Sequence, residues 1–410
     1  MQIKLVIRRV HNYDDFLGYY PFTTLFLNST VLIDIFRLLS ITVLPVLTNY
    51  LDIIRNSLYA LCAIYVIIVI FYNGIKKELF LSLIIVSLLM GFSLLTHEEI
   101  LQYLFSDLLI FVFRMLVGCV LLAYIKDYEK LLTQQRLYLI LIWLYIFLFM
   151  TAGTNENYMG FSYNLLIPTV IYFIYGYEKQ KYLYVITSIL ALFAIMLLGA
   201  RGAIAAGIVS ITLYFLLSSK NSIKKVSLIL IGSILLLTTA INFKRIIYCI
   251  IQKFGYSRTL YLLLSGQFTD GGGRNIRQEI VKNSISFLPH GIFSDRIAIA
   301  KGLGIQVNSA LYPHNLFLEL LYQYGIIFGG FLGALLLALI FKTWKAVLIK
   351  KNSHLSIIFY SLVMTFFIKS MISSSYLVDY ASGIALGACF SILNIVKDEY
   401  IKTNADKFYK

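Results

Sequence analysis

The chain has 410 residues, of which 60% are hydrophobic and 13% are charged, and its mean hydropathy is +0.82. A soluble domain has about 45–50% apolar and roughly 25% charged residues, so this composition excludes an ordinary soluble protein. It indicates an all-α polytopic membrane protein, because an open sheet would leave backbone groups unpaired in lipid. In a soluble protein, the net charge of +15 would suggest binding to nucleic acid. Here most of the positive charge flanks hydrophobic runs, so we expect no nucleic-acid partner. The four cysteines have no CxxC spacing that would suggest a metal site.

The hydrophobic runs predict about twelve membrane-spanning helices. A run of about 17 to 25 residues can cross a hydrocarbon layer of roughly 30 Å. No small-residue cleavage site follows the first run, so we expect no cleaved signal peptide and predict a single integral membrane domain, residues 1–410. The predicted spans are 21–44, 57–73, 78–96, 102–125, 136–152, 162–176, 181–198, 202–218, 224–241, 314–341, 355–375 and 378–396.

The distribution of lysine and arginine predicts the orientation. The majority of the 35 basic residues lie near the two termini or between alternate spans, whereas the short loops on the opposite side contain only Arg55 and Arg201. Cytoplasmic loops carry the excess of positive charge, so both termini are predicted to be cytoplasmic. Residues 242–313 then form a long extracytoplasmic loop between the ninth and tenth spans.

That loop is the long polar interval of the chain. It has nine basic and three acidic residues. The positive-inside rule does not count long external loops, so the basic excess requires another explanation. After the helix-breaking glycines 271–273, residues 274–288 predict a short helix. The glycines at 302 and 304 do not follow a strand, which argues against a nucleotide-binding loop.

Few charged residues fall inside the predicted spans, where charge is costly and therefore a functional candidate. Asp34 and Arg37 are three residues apart, and Asp107 and Arg114 are seven apart, so each pair shares a helix face. Lys369 lies near the outer end of the eleventh span. One interpretation is that the pairs are internal ion pairs of the bundle. The other is that Arg37, Arg114 and Lys369 line a cavity that binds an anion.

Further candidates lie at the predicted outer face. Arg201 occupies a short turn between glycines, and Arg274 and Arg277 are three apart on the predicted loop helix. A guanidinium suits bidentate contact with phosphate oxygens, although snorkelling or solvated arginines are the alternative. His314 precedes the tenth span, where an imidazole could accept a proton near neutral pH or simply start a helix. Glu319 follows five residues later and could orient a nearby group.

These segments resemble a known family in their order along the chain. The sequence GARG at 199–202 is followed by GR at 273–274, by GLG at 302–304, and by HNLFLELLYQYGIIFGG from His314 onward. This order is similar to that of the O-antigen ligase/polymerase superfamily of Wzy-type polysaccharide polymerases and lipopolysaccharide ligases. The resemblance covers roughly residues 190–340, and its most specific part is the HN followed by a hydrophobic helix.

The resemblance implies a GT-C-like fold and a metal-independent glycosyltransferase without a cofactor, in a bacterial cytoplasmic membrane. The donor would be a polyprenyl-diphosphate-linked oligosaccharide held among membrane lipid, and a chain-length regulator and a flippase of the same pathway would be possible partners. His314, Arg201 and Arg274 would be the catalytic residues. From their own chemistry and place in the chain, the predicted substrate-binding positions are Arg277, Arg37, Arg114, Lys369, Glu319 and Asn315. A ligase that passes glycan to a lipid A core is the alternative within the family, and a lipid-linked oligosaccharide flippase or transporter is the alternative outside it.

Overall fold

The computed structural model describes residues 19–75, 77–97, 99–152, 158–198, 200–217, 273–309 and 311–408, and a few isolated positions between 245 and 265. Regular secondary structure in these ranges is entirely helical. We number the main helices α1 (Tyr19–Thr42), α2 (Leu51–Asn73), α3 (Lys77–Thr96), α4 (Phe105–Ala123), α5 (Tyr128–Gln135), α6 (Leu139–Ala152), α7 (Tyr158–Glu178), α8 (Tyr182–Leu197), α9 (Arg201–Leu217), α10 (Arg274–Asn283), α11 (Ser294–Leu303), α12 (Leu316–Lys350), α13 (Ser353–Ile372) and α14 (Tyr380–Phe408).

Eight helical segments of the described part are long and apolar enough to cross a membrane, which makes the chain a polytopic α-helical membrane protein. They are α1, the run 45–73 that contains α2, α3, α4, the run 128–149 formed by α5 and α6, α12, α13 and the first part of α14. Helices α8 and α9 are apolar but shorter. The predicted span 224–241 and most of residues 242–272 lie outside the described residues.

The core lies where α1, α7, α13 and α14 meet the last turns of α4. Phe26 of α1, Leu121 of α4 and Tyr172 of α7 are almost fully buried, as are Tyr360 of α13 and Ile384 of α14. In contrast, α2 and α3 leave many of their large apolar side chains exposed. Lipid is as apolar as those side chains, so the exposure is what a membrane-facing surface requires. Helices α1, α7, α13 and α14 therefore form the interior of the bundle.

The predicted span 314–341 is wrong in one respect, because α12 is two helices joined by a reversal at Gly325. Gly325 has φ 74° and ψ 166°, a conformation that ends a helix. An added Cβ at Gly329 would lie 2.7 Å from the carbonyl carbon of Leu320, and one at Gly333 would lie 3.1 Å from the ring of Phe317. In a straight helix, residues nine apart are separated by about 13 Å. Residues 316–324 therefore fold back along residues 326–333.

This reversal places the start of α12 inside the bundle rather than at its surface. Phe317 lies beside Gly333, which is eight residues, or about 12 Å of helix, beyond the turn at Gly325. His314 is three residues before Phe317. His314 was expected where the tenth span leaves the membrane, and it instead precedes residues 316–324, which lie alongside that span, so that its side chain is only 7% exposed.

Two short helices of the long loop cover this end of the bundle. Helix α10 begins after Gly273, which has φ 81°, and it ends at Asn283, five residues before the predicted end at 288. The chain then forms a turn that hydrogen-bonds to α12, with the Gly291 amide donating to the Gln323 carbonyl over 2.8 Å. Helix α11 was not predicted, and it ends at Gly304, the last residue of the GLG sequence, with φ 65°.

Candidate active site

Arg274 and His314, which are 40 positions apart in the chain, both contact Ser373 at the end of α13. Arg274 donates from Nη1 to the Ile372 carbonyl over 3.2 Å and from Nη2 to the Ser373 hydroxyl over 3.3 Å. The His314 Nδ1 lies 2.9 Å from the Ser373 carbonyl oxygen. Carbonyls at the end of a helix lack intrahelical partners and carry partial negative charge, which attracts both side chains. Ser373 is therefore the residue that joins the two predicted catalytic groups.

The start of α9 reaches the same place. An added Cβ at Gly202 would lie 3.0 Å from Cβ of Ser373, so α9 and α13 are in close contact at this point. The hydroxyl of Tyr163 on α7 also lies against Gly202 and hydrogen-bonds to Ser373 and Arg274. Arg201 is the neighbouring residue and the first of α9. The backbone that carries Arg201 thus adjoins the residue that binds Arg274 and His314.

The surroundings of His314 determine its protonation and its tautomer. A carbonyl oxygen only accepts hydrogen bonds, so Nδ1 must carry the proton and Nε2 has a free lone pair. The side chain is 7% exposed. Burial lowers the pKa of His314 to about 4, the Ser373 hydrogen bond opposes this, and Arg274 and Arg277 lower the pKa further. His314 is therefore a neutral imidazole at pH 7, with Nε2 able to accept a proton or a hydrogen bond.

The backbone of His314 is in an uncommon conformation. Its φ is 59°, in the left-handed region that a non-glycine residue adopts rarely and at some energetic cost. Asn315 follows and caps the re-entrant part of α12, because its Oδ1 accepts from the Leu318 amide over 3.1 Å. Asn315, a predicted substrate-binding position, thus uses this oxygen to fix the chain direction immediately after His314.

Arg296 of α11 extends the cluster. It forms an ion pair with Asp107 of α4, and its guanidinium lies 5.6 Å from the centre of the Tyr312 ring. The Tyr312 ring is in turn 4.5 Å from that of His314. Burial raises the pKa of Tyr312, so its hydroxyl stays protonated. The charge of a buried guanidinium interacts more strongly with its neighbours than the charge of a guanidinium in water, because the local dielectric constant is lower.

The expected pairing of Asp107 with Arg114 does not occur, because Asp107 binds Arg296 and Arg114 lies 4.7 Å from the centre of the Tyr59 ring. Residues Phe111–Leu116 form a π turn. A π turn inserts one residue into the α-helical repeat and rotates the following positions by roughly 100°. The seven-residue spacing therefore no longer places both side chains on one face.

The remaining intramembrane cations have partners of their own. Lys369 lies 2.6 Å from Asp379 in a buried ion pair and 4.8 Å from the centre of the Tyr163 ring. This ion pair connects α13 to the residue that precedes α14, and Lys369 is four residues before Ser373. Arg37 is 5.7 Å from the centre of the Phe161 ring, and the Asp34 carboxylate accepts from the Asn164 amide over 2.8 Å. Lys369 adjoins the cluster around Ser373, and its charge is balanced by Asp379.

Arg277 presents an unpaired donor near the cluster. Its Nε is buried without a hydrogen-bond partner, and its charge is close enough to lower the pKa of His314. A buried donor with no partner in the protein indicates a site for an oxygen atom from water or a ligand. Arg274 also has guanidinium donors left over, since a guanidinium has five and the contacts with Ile372, Ser373 and Tyr163 use at most three.

Glu319 belongs to a buried polar network beside the site. Ser375 donates to Glu319, and Gln323 donates to Asp295 of α11 over 2.6 Å. The hydroxyl of Tyr376 donates to Gln323 over 2.5 Å. One oxygen each of Glu319 and Asp295 is buried without a partner. The network joins α11, residues 316–324 of α12 and the turn after Ser373. The role of Glu319 in orienting its neighbours stays a prediction.

Sequence reasoning did not identify several residues of this cluster, namely Tyr163, Arg296, Tyr312, Ser373 and Asp379. Ser373 contacts His314 through its backbone carbonyl, and every residue type has such a carbonyl, so the sequence does not reveal this contact. The SSS sequence at 373–375, which begins four residues after the buried Lys369 and ends four residues before Asp379, was an available signal. Three consecutive hydroxyl residues next to an intramembrane charge are unusual in an apolar chain.

Within the described ranges there is no group of three or more His, Cys, Asp or Glu side chains that could hold a metal ion. A scan against protein-family models finds no match for the chain, and a search of curated proteins finds none either. The cluster itself is therefore the observation from which function can be argued. It contains a neutral histidine with a free Nε2, three arginines and several hydroxyls where α9, α10 and the end of α13 meet.

Proposed function

We propose that the chain is a polysaccharide polymerase that transfers a growing glycan from polyprenyl diphosphate to a lipid-linked repeat unit on the outer face of the bacterial cytoplasmic membrane. The observation that carries the proposal is the convergence of Arg274 and His314 on Ser373, with Nδ1 of His314 donating and Nε2 free. The lysine and arginine distribution in the sequence predicts that this end faces outward.

In the proposed reaction, the arginines act on the leaving group. Glycosyl transfer breaks the bond between the anomeric carbon and the diphosphate, and the departing diphosphate retains the electron pair. Arg274 and Arg277, with Arg201 from the start of α9, would stabilise that negative charge in a partly dehydrated site. The orphaned Nε of Arg277 is the kind of donor that a phosphate oxygen would satisfy.

His314 acts on the acceptor. Its Nε2 would accept the proton of the sugar hydroxyl as that oxygen attacks the anomeric carbon. Its low pKa makes it a weak base in the free protein, and a bound diphosphate would raise that pKa by supplying negative charge. The Ser373 carbonyl would stabilise the imidazolium that results, because it accepts from Nδ1.

A ligase and a transporter are the competing proposals. The arrangement of arginines and histidine fits a ligase equally, since the leaving group is the same. A transporter is favoured by the break in α12 at Gly325, because interrupted helices bind substrates in many transporters. Among the described helices, only α12 contains such a residue with non-helical φ and ψ. Transporters of that kind have a matching break in each half, so we favour the enzyme.

The test is complementation of a strain that lacks the protein, with wild type, Arg201→Ala, Arg274→Ala or His314→Ala at equal expression. A polymerase predicts that each variant loses long surface glycan while single units still reach the surface. A ligase predicts that polymerised glycan remains on its lipid carrier. A flippase predicts that units fail to reach the outer leaflet. Normal glycan ladders from all three variants would exclude this cluster as the site.

A further inference from the structure

The turn between α10 and α11 exposes two adjacent apolar side chains, Phe287 and Leu288. They are 70% and 76% exposed, and Pro289 follows them. A protein in water buries most large apolar side chains, and exposed ones that are clustered mark an interaction surface. These two belong to the loop and not to a membrane-spanning helix, so their exposure needs an explanation of its own.

The turn is fixed to the reversal in α12. The amide of Ile326 donates to the Ser286 carbonyl over 2.9 Å, and the Gly291 amide donates to the Gln323 carbonyl over 2.8 Å. The Ser286 hydroxyl donates to the Leu288 carbonyl over 2.7 Å. An added Cβ at Gly325 would lie 2.9 Å from the carbonyl carbon of Leu288. Phe287 and Leu288 therefore have a defined position next to the first turn of the membrane helix.

That first turn lies at the edge of the hydrocarbon layer. Residues 326–341 are apolar apart from glycines, and Lys342 follows. These 16 residues span about 24 Å as a helix, less than the roughly 30 Å of hydrocarbon that they must cross. The helix cannot start well above the membrane, and the exposure of Ile327 and Phe328, 64% each, agrees with lipid contact from its first turn.

We propose that Phe287 and Leu288 insert into the bilayer and hold α10 and α11 against the membrane surface. The occupant is lipid because the two side chains continue the lipid-facing surface of Ile327 and Phe328, to which the turn is joined by backbone hydrogen bonds. The exposed Lys282, in the last turn of α10, and Lys301 of α11 add positive charge that complements anionic headgroups.

The inference extends beyond the proposed activity and does not depend on it. A turn bound to the membrane keeps α10 and α11, with Arg274 and Arg296, in place beside His314. A substrate with a lipid tail would then approach His314 from the membrane. A loop that moved freely in water would not hold these side chains next to His314.

The test places a fluorophore on the turn. In a Cys249→Ser background the other cysteines are buried, so Phe287→Cys gives one accessible thiol for a nitrobenzoxadiazole label. The full chain is reconstituted in vesicles of phosphatidylcholine and phosphatidylglycerol. We expect lipids with a nitroxide on the acyl chain to quench the label at least twofold, and iodide in solution to have little effect. The label on Glu279→Cys, an exposed position of α10, should behave in the opposite way.

Two results would overturn the inference. Equal quenching by iodide at positions 287 and 279 would place the turn in water. If neither agent quenches the label, and its emission changes when the ratio of protein to lipid is lowered, a second copy of the chain covers Phe287 and Leu288. Leu288→Cys repeats the measurement at the adjacent side chain, so a poorly folded Phe287→Cys variant leaves the test intact.

Discussion

His314 has a structural contact, the hydrogen bond to the Ser373 carbonyl, and a proposed chemical role as a base. One substitution can separate the two. Asparagine tolerates a positive φ and carries an amide N–H that can donate to the Ser373 carbonyl, so His314→Asn preserves the local fold. It has no basic nitrogen to accept a proton. We expect His314→Asn to fold as well as wild type and to lose polymerisation by about 10²–10⁴-fold, the usual contribution of a general base. Glycan ladders at matched expression measure this effect, and wild-type ladders would exclude His314 as the base.

The low pKa of His314 also predicts how stability depends on pH. An unfolded histidine has a pKa of about 6.5, whereas burial lowers that of His314 to about 4 in the folded chain. Between these values the unfolded state binds the additional proton, so stability present above pH 6.5 is lost as the pH falls to 4. The loss attributable to His314 is about 3 kcal/mol. Thermal unfolding of the purified protein between pH 7 and pH 4 measures it.

The variant His314→Asn serves as the control for this pH dependence. Its unfolding temperature should fall less steeply with acidification than that of wild type, because the titrating group has been removed. Identical slopes for the two proteins would show that position 314 is not a buried neutral histidine.

At the scale of elements, the reversal of α12 makes a prediction about glycine. Gly325→Ala forces a side chain into a positive-φ conformation that costs about 1–3 kcal/mol, and its Cβ would meet the turn 2.9 Å away at Leu288. We expect about 2 kcal/mol or more of destabilisation. Gly330→Ala is the matched control, since its nearest neighbour is 4.0 Å away. Equal unfolding temperatures for the two variants would contradict the fold-back of residues 316–324.

Some elements could be predicted from sequence and others could not, for identifiable reasons. An apolar run such as 355–375 specifies its own helix, and α13 forms there. The run 314–341 is also continuously apolar, so hydropathy gives no sign that the chain reverses within it. The glycines at 325, 329 and 333 were the available signal, because a spacing of four allows two helices to approach closely. Helix α11 was missed because its apolar and polar residues show no helical periodicity.

The residues of the candidate site also fall into those that the sequence predicted and those that it did not. Arg274 and His314 could be selected because a guanidinium and an imidazole have chemistry that residue type reveals. Ser373 was not selected, because its contact with His314 is made by a backbone carbonyl and spans 59 positions. The pairing of Asp107 with Arg296 spans 189 positions, and no local spacing rule predicts a partner at that distance. Sequence thus supplied individual groups, and the packing of the helices supplied their arrangement.

At the scale of the whole molecule, the proposed orientation can be tested by labelling. In the Cys249→Ser background, a membrane-impermeant thiol reagent applied to intact cells should label Glu279→Cys on α10 and leave Lys345→Cys near the end of α12 unlabelled. Opening the cells should expose Lys345→Cys. The reverse pattern would place the candidate site on the cytoplasmic face and exclude transfer from an outer-leaflet donor.

The central claim is that the cluster of side chains around Ser373 catalyses glycan transfer by means of His314 and the arginines. The most direct measurement is reconstitution of the full chain in vesicles with lipid-linked repeat units from the source cells, in the presence of EDTA, with products separated by chain length. We predict that wild type converts single units into a ladder of multimers and releases polyprenyl diphosphate, and that His314→Asn leaves the units unchanged. A ladder of equal yield from His314→Asn, or movement of intact units across the membrane without any ladder from wild type, would contradict the account.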